Sequence, residues 1–266
     1  MYYGGIDIGS VSTDVVIINQ LGEMVGHEVV PTGANFRAAA DKGIETALQR
    51  AKLTREDVAY IVCTGYGRKS LDMDNGSLTE IKCHGTGAHH LSPEIRTIID
   101  IGGQDCKVIS LNADGSVADF VMNDKCSAGT GRFVDVMAKA LQVELEEMGA
   151  LSLASTENCR ISNICTVFAE SEVISKLSAN VPKEDIIKGI HSSIGERVYN
   201  LVQRVELKKP VGITGGGGKN IGIIRVLEEL LGTELITYQD PQIVGALGAA
   251  LEARKQRSPG QQAAAQ

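Results

Sequence analysis

The sequence contains no tryptophan, only four phenylalanines and only six prolines among 266 residues. No apolar run approaches the roughly 18 residues that a membrane span requires, which excludes a membrane-embedded chain. A hydrophobic content of 43% against 22% charged residues excludes intrinsic disorder. Basic tracts are lacking too. Lys and Arg number 26 against 33 Asp and Glu, and the net charge of −7 argues against nucleic acid or an anionic membrane as the main partner. An anionic ligand must then be met locally, by backbone amides or a metal ion. No basic stretch followed by an apolar run precedes the strand-like opening YYGGIDIG, so no secretory signal is read and the expected location is the cytoplasm.

Also missing is any CxxC. The six cysteines, Cys63, Cys83, Cys106, Cys126, Cys159 and Cys165, read as thiols or metal ligands rather than a disulfide framework, and a self-contained zinc or ferredoxin-type site is not expected. Cys63 lies in the apolar run from Ala59 and is expected in a core, and Cys106 in a strand. Cys83-His84 and His89-His90 lack a matching ligand pair and are expected in a turn or at the surface. His191 is expected to pack or to cap.

What is abundant is glycine, 30 residues clustered at the ends of apolar runs, where backbone can approach a ligand. The length suits one large or two modest domains. Apolar β-branched runs at Gly5 to Ile8, Val15 to Ile18 and Met24 to Val30 predict an antiparallel meander. The pattern then returns: Ile99-Asp100-Ile101-Gly102 repeats Ile6-Asp7-Ile8-Gly9 at an offset of 93, and residues 6–30 match 99–123 at seven of 25 positions, all strand or turn landmarks. The chain is therefore read as two copies of one strand-turn-strand-turn-strand unit, each with an Asp at the end of its first strand. Helices are predicted over Ala34 to Ala51, along the face Phe133, Val136, Met137, Ala140 and Leu141, from Pro182 through Val205, and over Gln242 to Arg254. The polar end, 255–266, is expected to be a disordered tail.

A Gly-rich turn after a buried strand exposes several N–H groups at one point, which suits a polyphosphate in a chain with little positive charge. Three occur: Asp7-Ile-Gly-Ser-Val-Ser-Thr13, Asp100-Ile-Gly-Gly-Gln-Asp105 and Thr214-Gly-Gly-Gly-Gly-Lys-Asn220. None matches GxxxxGKS, and GxGxxG with a following acid is absent. Two facing carboxylates, Asp7 and Asp100, could hold a hydrated Mg2+ between them.

These turns, with the late small-residue helix Gly245-Ala-Leu-Gly-Ala-Ala250, resemble the actin, sugar kinase and heat-shock chaperone ATPase superfamily. Within it, Thr64-Gly-Tyr-Gly-Arg68, DIGGQD, Asn123-Asp-Lys-Cys-Ser-Ala-Gly-Thr-Gly-Arg-Phe133, Cys165-Thr-Val-Phe-Ala-Glu-Ser-Glu-Val173 and Gly189-Ile-His191 look like the activator ATPases of 2-hydroxyacyl-CoA dehydratases, benzoyl-CoA reductases and double-cubane iron-sulfur proteins. The similarity runs to about residue 252. It implies a duplicated RNase H-like, actin-like α/β fold of two lobes with nucleotide in the cleft. The first lobe would span 1–96 with 245–254 returning to it, and the second 97–244.

The resemblance further implies a homodimer with one ATP or ADP site per subunit and one 4Fe-4S cluster between subunits. Cys126 and Cys165 of each chain would be its ligands. Each stands just before a predicted helix, one starting around Thr130 and the other around Phe168, so each thiolate is expected at a helix N-terminus. Asp7 and Asp100 would position Mg2+ and water, and Gln104 the attacking water. Gly9, Ser10, Ser12, Thr13, Gly102 and Gly103 would meet phosphate, while Gly215, Gly216, Gly217, Lys219, Asn220 and Gln242 hold the nucleoside. The implied activity is ATP-driven one-electron transfer from ferredoxin or flavodoxin to a partner iron-sulfur enzyme. Family members commonly read GSTxxK after the first Asp, whereas Asp14 stands here at the lysine position, which shifts phosphate contact to Ser10, Ser12 and Thr13. The competing reading is a cluster-free small-molecule kinase, for which Asp105 is the nearby candidate base. A chaperone or filament protein is a third, disfavoured by the short chain.

Overall fold

The computed structural model describes residues 1–70, 76–157, 159–162 and 165–257, and the chain divides into two compact units. The first comprises Met1–Ile95, Leu111–Ala118 and the C-terminal segment from Gln242; the second comprises Arg96–Ser110 and Asp119–Pro241.

In the first unit, β1 (Tyr2–Ile8), β2 (Ser12–Ile18) and β3 (Met24–Pro31) form the expected antiparallel meander. β1 and β2 are buried nearly throughout, so they read as continuous apolar runs rather than as alternation. Helix α1 (Phe36–Ala51), capped by the Asn35 side chain, crosses over to β4 (Val58–Thr64), which runs parallel to β1, and the short β5 (Gly76–Ser77) completes the sheet in the order β3-β2-β1-β4-β5. One core lies beneath α1, with Ile6, Ile8, Val15, Ala40, Ile44 and Leu48. Another, with Tyr3, Val16, Val62, Ala246 and Ala250, joins the sheet to the last helix.

Helix α2 (Glu80–Leu91) is where the residues read as turn or surface turn out to lie: Cys83 and His84 are buried on it. Gly87 allows a close approach to the last helix, since a Cβ there would strike the Val244 carbonyl. That helix, named α8 below, spans Val244–Arg257. It continues three residues past the expected end, into 255–257, with Lys255 paired to Glu252 and the Arg257 guanidinium 4.8 Å over the Tyr60 ring. The remaining tail positions, 258–266, lie outside the described residues.

The second sheet repeats the topology of the first. β6 (Thr97–Ile101) pairs antiparallel with β7 (Cys106–Leu111), which leads to β8 (Val117–Asn123), and pairs parallel with β9 (Val211–Thr214); β10 (Leu235–Ile236) closes the order β10-β9-β6-β7-β8. The 93-residue offset is thus a structural duplication. Gly22 and Gly115 both adopt positive φ, +89° and +80°, in matching turns that donate back to Asn19 and Asn112.

Among the described residues, five helices complete this unit: α3 (Gly131–Leu141), α4 (Met148–Leu153), α5 (Thr166–Ser178), α6 (Lys183–Val202) and α7 (Ile221–Leu231). The buried face of α3 is Phe133, Val134, Met137, Ala138 and Leu141; Val136 and Ala140 pack at its margin instead. Helix α6 ends at Val202, short of the expected Val205. Among the described residues no helix is long and apolar enough to cross a membrane.

Candidate functional site

In the first unit, Asp7 is the sixth residue of β1 and is buried. Its carboxylate has room because two neighbours lack side chains: a Cβ at Gly65 would fall on Oδ1 and one at Gly245 on Oδ2. His84 Nε2 stands 3.6 Å from Oδ2. The turn that follows is closed by the Gly9 amide donating to the Ser12 carbonyl, and Thr32 donates to the Gly9 carbonyl, both at 2.9 Å. Ser10 and Ser12 are half-buried at this turn. Thr13 is fully buried, with its hydroxyl 2.9 Å from that of Thr32. Asp14 lies directly opposite Asp7 in the β1–β2 register and accepts from the Ser12 hydroxyl at 3.3 Å. A buried carboxylate in a cradle that any Cβ would fill fits a hard cation such as Mg2+.

In the second unit, both oxygens of Asp100 are engaged: Oδ1 accepts from the Thr214 hydroxyl at 2.8 Å and Oδ2 from Lys107 Nζ at 3.0 Å. Lys107 Nζ is also 2.9 Å from Asp105 Oδ1. Between these acids the turn closes through the Gly102 amide and the Asp105 carbonyl, and Gln104 projects exposed at its tip. The Gly102 and Gly103 carbonyls accept from the amides of Gly131 and Arg132, at 2.9 and 2.8 Å, so α3 begins on this turn.

The third turn adjoins the second. Asp100 and Thr214 are register partners on β6 and β9, and Gly215, at φ +77°, leaves space beside Asp100. Gly216 and Lys219 are exposed, whereas Gly217 packs on Ile101. Asn220 caps α7, its Oδ1 accepting from Gly222 and Ile223, and its amide nitrogen is 3.2 Å from His191 Nε2. Burial, reinforced by the Lys188 charge, pushes the His191 pKa down to about 3, so the imidazole is neutral. Gln242 is half-buried at the start of the C-terminal segment of the first unit.

Cys126 and Cys165 are both half-buried free thiols. The residues that follow them meet, Ser127 Oγ lying 2.9 Å from Thr166 Oγ1. Cys165 is the N-cap of α5, as expected. Cys126 is not at a helix N-terminus: the cap of α3 is Thr130, whose amide and hydroxyl both donate to the Ser127 carbonyl and form an intervening turn. Two neighbouring, partly accessible thiols suit half the ligand set of a shared cluster. Among the described residues no group of three or more His, Cys, Asp or Glu is placed to hold a metal. Burial pushes three of the remaining thiols up, Cys63 to about 11 and Cys83 and Cys106 to about 12, which keeps those three protonated and inert.

Residues 5–253 match the family described as the BadF/BadG/BcrA/BcrD ATPase family. The chain is 45% identical to a 2-hydroxyisocaproyl-CoA dehydratase activator of Clostridioides difficile, covering 95% of each chain. It is 46% identical to an activator of lactoyl-CoA dehydratase of Anaerotignum propionicum, covering 95% of this chain and 97% of the relative. The solved structure of the C. difficile activator with bound ADPNP superimposes with a TM-score of 0.93 at 44% identity, over 99% of this chain and 98% of that one. These relatives are activators of dehydratases rather than kinases. Asp105, the acid a kinase would need, is here ion-paired to Lys107.

Proposed function

Since the chain belongs to the BadF/BadG/BcrA/BcrD ATPase family, we propose that it binds and hydrolyses Mg-ATP to drive one-electron transfer to a partner iron-sulfur enzyme of the 2-hydroxyacyl-CoA dehydratase kind. Two subunits would hold one 4Fe-4S cluster through Cys126 and Cys165 of each, and ferredoxin or flavodoxin would supply the electron. When bound, the cluster supplies the one-electron redox chemistry.

The chain's own residues do the rest. Asp7 and Asp100 position Mg2+ and water, and Gln104 orients the water that attacks the γ-phosphate. The amides and hydroxyls from Gly9 to Thr13, with Gly102 and Gly103, meet phosphate, while Gly215 to Gly217, Lys219, Asn220 and Gln242 hold the nucleoside. Val167 and Phe168, exposed beside Cys165, favour a second subunit at that face.

The observation that carries the reading is the junction of the second phosphate turn with the cysteine segment. The Gly102 and Gly103 carbonyls seat the first amides of α3, Thr130 ties that helix to Ser127, and Ser127 touches Thr166. A phosphate-dependent shift of the turn therefore displaces both cysteine segments together. Iron and acid-labile sulfide measured on anaerobically purified protein test it. About two irons per chain, with a spectrum that changes on adding Mg-ATP, are expected. No iron after reconstitution, or a cluster retained by both Cys126→Ala and Cys165→Ala, would overturn it.

A further inference from the structure

Lys107 is 2% exposed, in an interior where an ammonium is costly unless it is paired. Its Nζ lies 3.0 Å from Asp100 and 2.9 Å from Asp105. Asp100 stands on β6 before the second phosphate turn and Asp105 ends that turn, so one cation ties the two ends of Gly102-Gly103-Gln104 together. Gly102 permits this, because a Cβ there would fall on Asp105 Oδ1. Asp100 is held from the other side by the Thr214 hydroxyl.

The duplication supplies an internal comparison. Asp100 and Lys107 are directly opposed across β6 and β7, and the same positions of the first unit carry Asp7 and Asp14. The lysine clamp belongs to one copy only, and that copy carries Gln104 and seats α3. Apolar side chains of similar volume commonly match or exceed a buried ion pair in stability, so stability alone does not account for the charged trio.

We propose that Lys107 is the positioning residue of the second phosphate turn: its ammonium sets the direction of Gln104 and the placement of the two carbonyls on which α3 begins. This rests on the ATP-hydrolysing role proposed above. Lys107 itself touches no reacting atom.

The test compares Lys107→Met, Lys107→Arg and the charge-matched double variant Asp105→Asn/Lys107→Met with the wild-type chain. Each is measured for Mg-ADP affinity, for ATP turnover, and for hydrogen exchange at the Gly131 and Arg132 amides. Lys107→Met is expected to lose about a hundredfold in kcat, more than it loses in Mg-ADP affinity, because a turn displaced by an ångström misplaces the water. The Gly131 and Arg132 amides should exchange faster, and Lys107→Arg should recover part of both properties. Should the single variant not fold, the double variant is expected to fold and to show the same two losses. A folded Lys107→Met or double variant with wild-type kcat, or with unchanged exchange at both amides, overturns the proposal. A wild-type chain that turned over no ATP would instead overturn the proposed function, and the exchange measurement would still decide the role of Lys107.

Discussion

Asp14 faces Asp7 across the β1–β2 ladder, at the strand position where Lys107 faces Asp100 in the second sheet. The same frame thus carries a like-charged pair in one copy and an ion pair in the other. Like charges directly opposite on a ladder are destabilising by about 0.2–1 kcal/mol, and a cation at Asp7 would offset that cost. Asp14→Asn is therefore expected to stabilise the nucleotide-free protein by an amount in this range while reducing the added stabilisation that Mg2+ gives. Thermal melts with and without Mg2+ check both signs. A variant that melts lower than wild type without Mg2+ would show that the Asp14 charge supports the strand instead.

Gly245 and Gly65 leave the Asp7 carboxylate its space, so Gly245→Ala should act at that carboxylate and at the His84 ring beside it. The added methyl would overlap Asp7 Oδ2 and crowd His84 Nε2, 2.9 Å away. Overpacking of this kind costs about 1–3 kcal/mol, which leaves the fold intact in a domain of ordinary stability. The expected result is a folded protein whose Mg-ATP affinity drops while Mg-free ADP binding is kept. Calorimetric titration with each ligand separates the two.

How far the sequence discloses these relations depends on what holds each element. The meander and its copy are legible because landmark residues, Asp, Gly and Asn, sit at fixed places in runs of buried β-branched residues. The counterpart of Asp14 is legible too, since the offset of 93 that pairs Ile6 with Ile99 also pairs Asp14 with Lys107. Helix α2 is not. Cys83-His84 and His89-His90 read as a turn or a surface, and what holds this segment helical is backbone contact with α8, a tertiary effect that local propensity does not encode. The position of Cys126 escapes for a similar reason, because a Thr130–Ser127 turn stands between it and α3. His84 and Thr214 reach their aspartates only through folding.

Burial of His191 makes acid destabilising. Its folded-state pKa, about 3, lies below the ordinary value of 6.5. As pH falls through 6.5 the unfolded chain takes up a proton that the folded chain refuses, so this contribution to stability is present above that pH and is lost progressively towards about 3. His191→Gln keeps a side-chain oxygen that can accept from Asn220 and removes the titration. Urea unfolding should find the variant less stable than wild type at pH near 7.5, by about 1 kcal/mol for the poorer hydrogen bond and fit. By about pH 5 the wild type should have lost about 2 kcal/mol of this contribution, so the gap should close and change sign. A gap constant with pH would mean that His191 is not the group responsible.

Phe168→Asp tests the proposed subunit interface without touching the nucleotide turns. Phe168 is 66% exposed in the first turn of α5, three residues after Cys165, and Val167 beside it is 65% exposed. An isolated apolar side chain on a surface needs no explanation, but two adjacent ones beside a thiol proposed to share a cluster with a second copy fit burial at that interface. Phe168→Asp removes no contact within the unit's core, so the isolated chain should keep its stability to within about 0.5 kcal/mol. It should keep Mg-ADP affinity as well, because the phosphate turns are untouched. Burying the new carboxylate at a two-fold interface would place two like charges near each other, and the dimer should weaken strongly. Light scattering under anaerobic conditions is then expected to give a monomer, and iron analysis a protein that no longer retains its cluster. A dimer with full iron content would place the cluster-bearing interface on another face of α5.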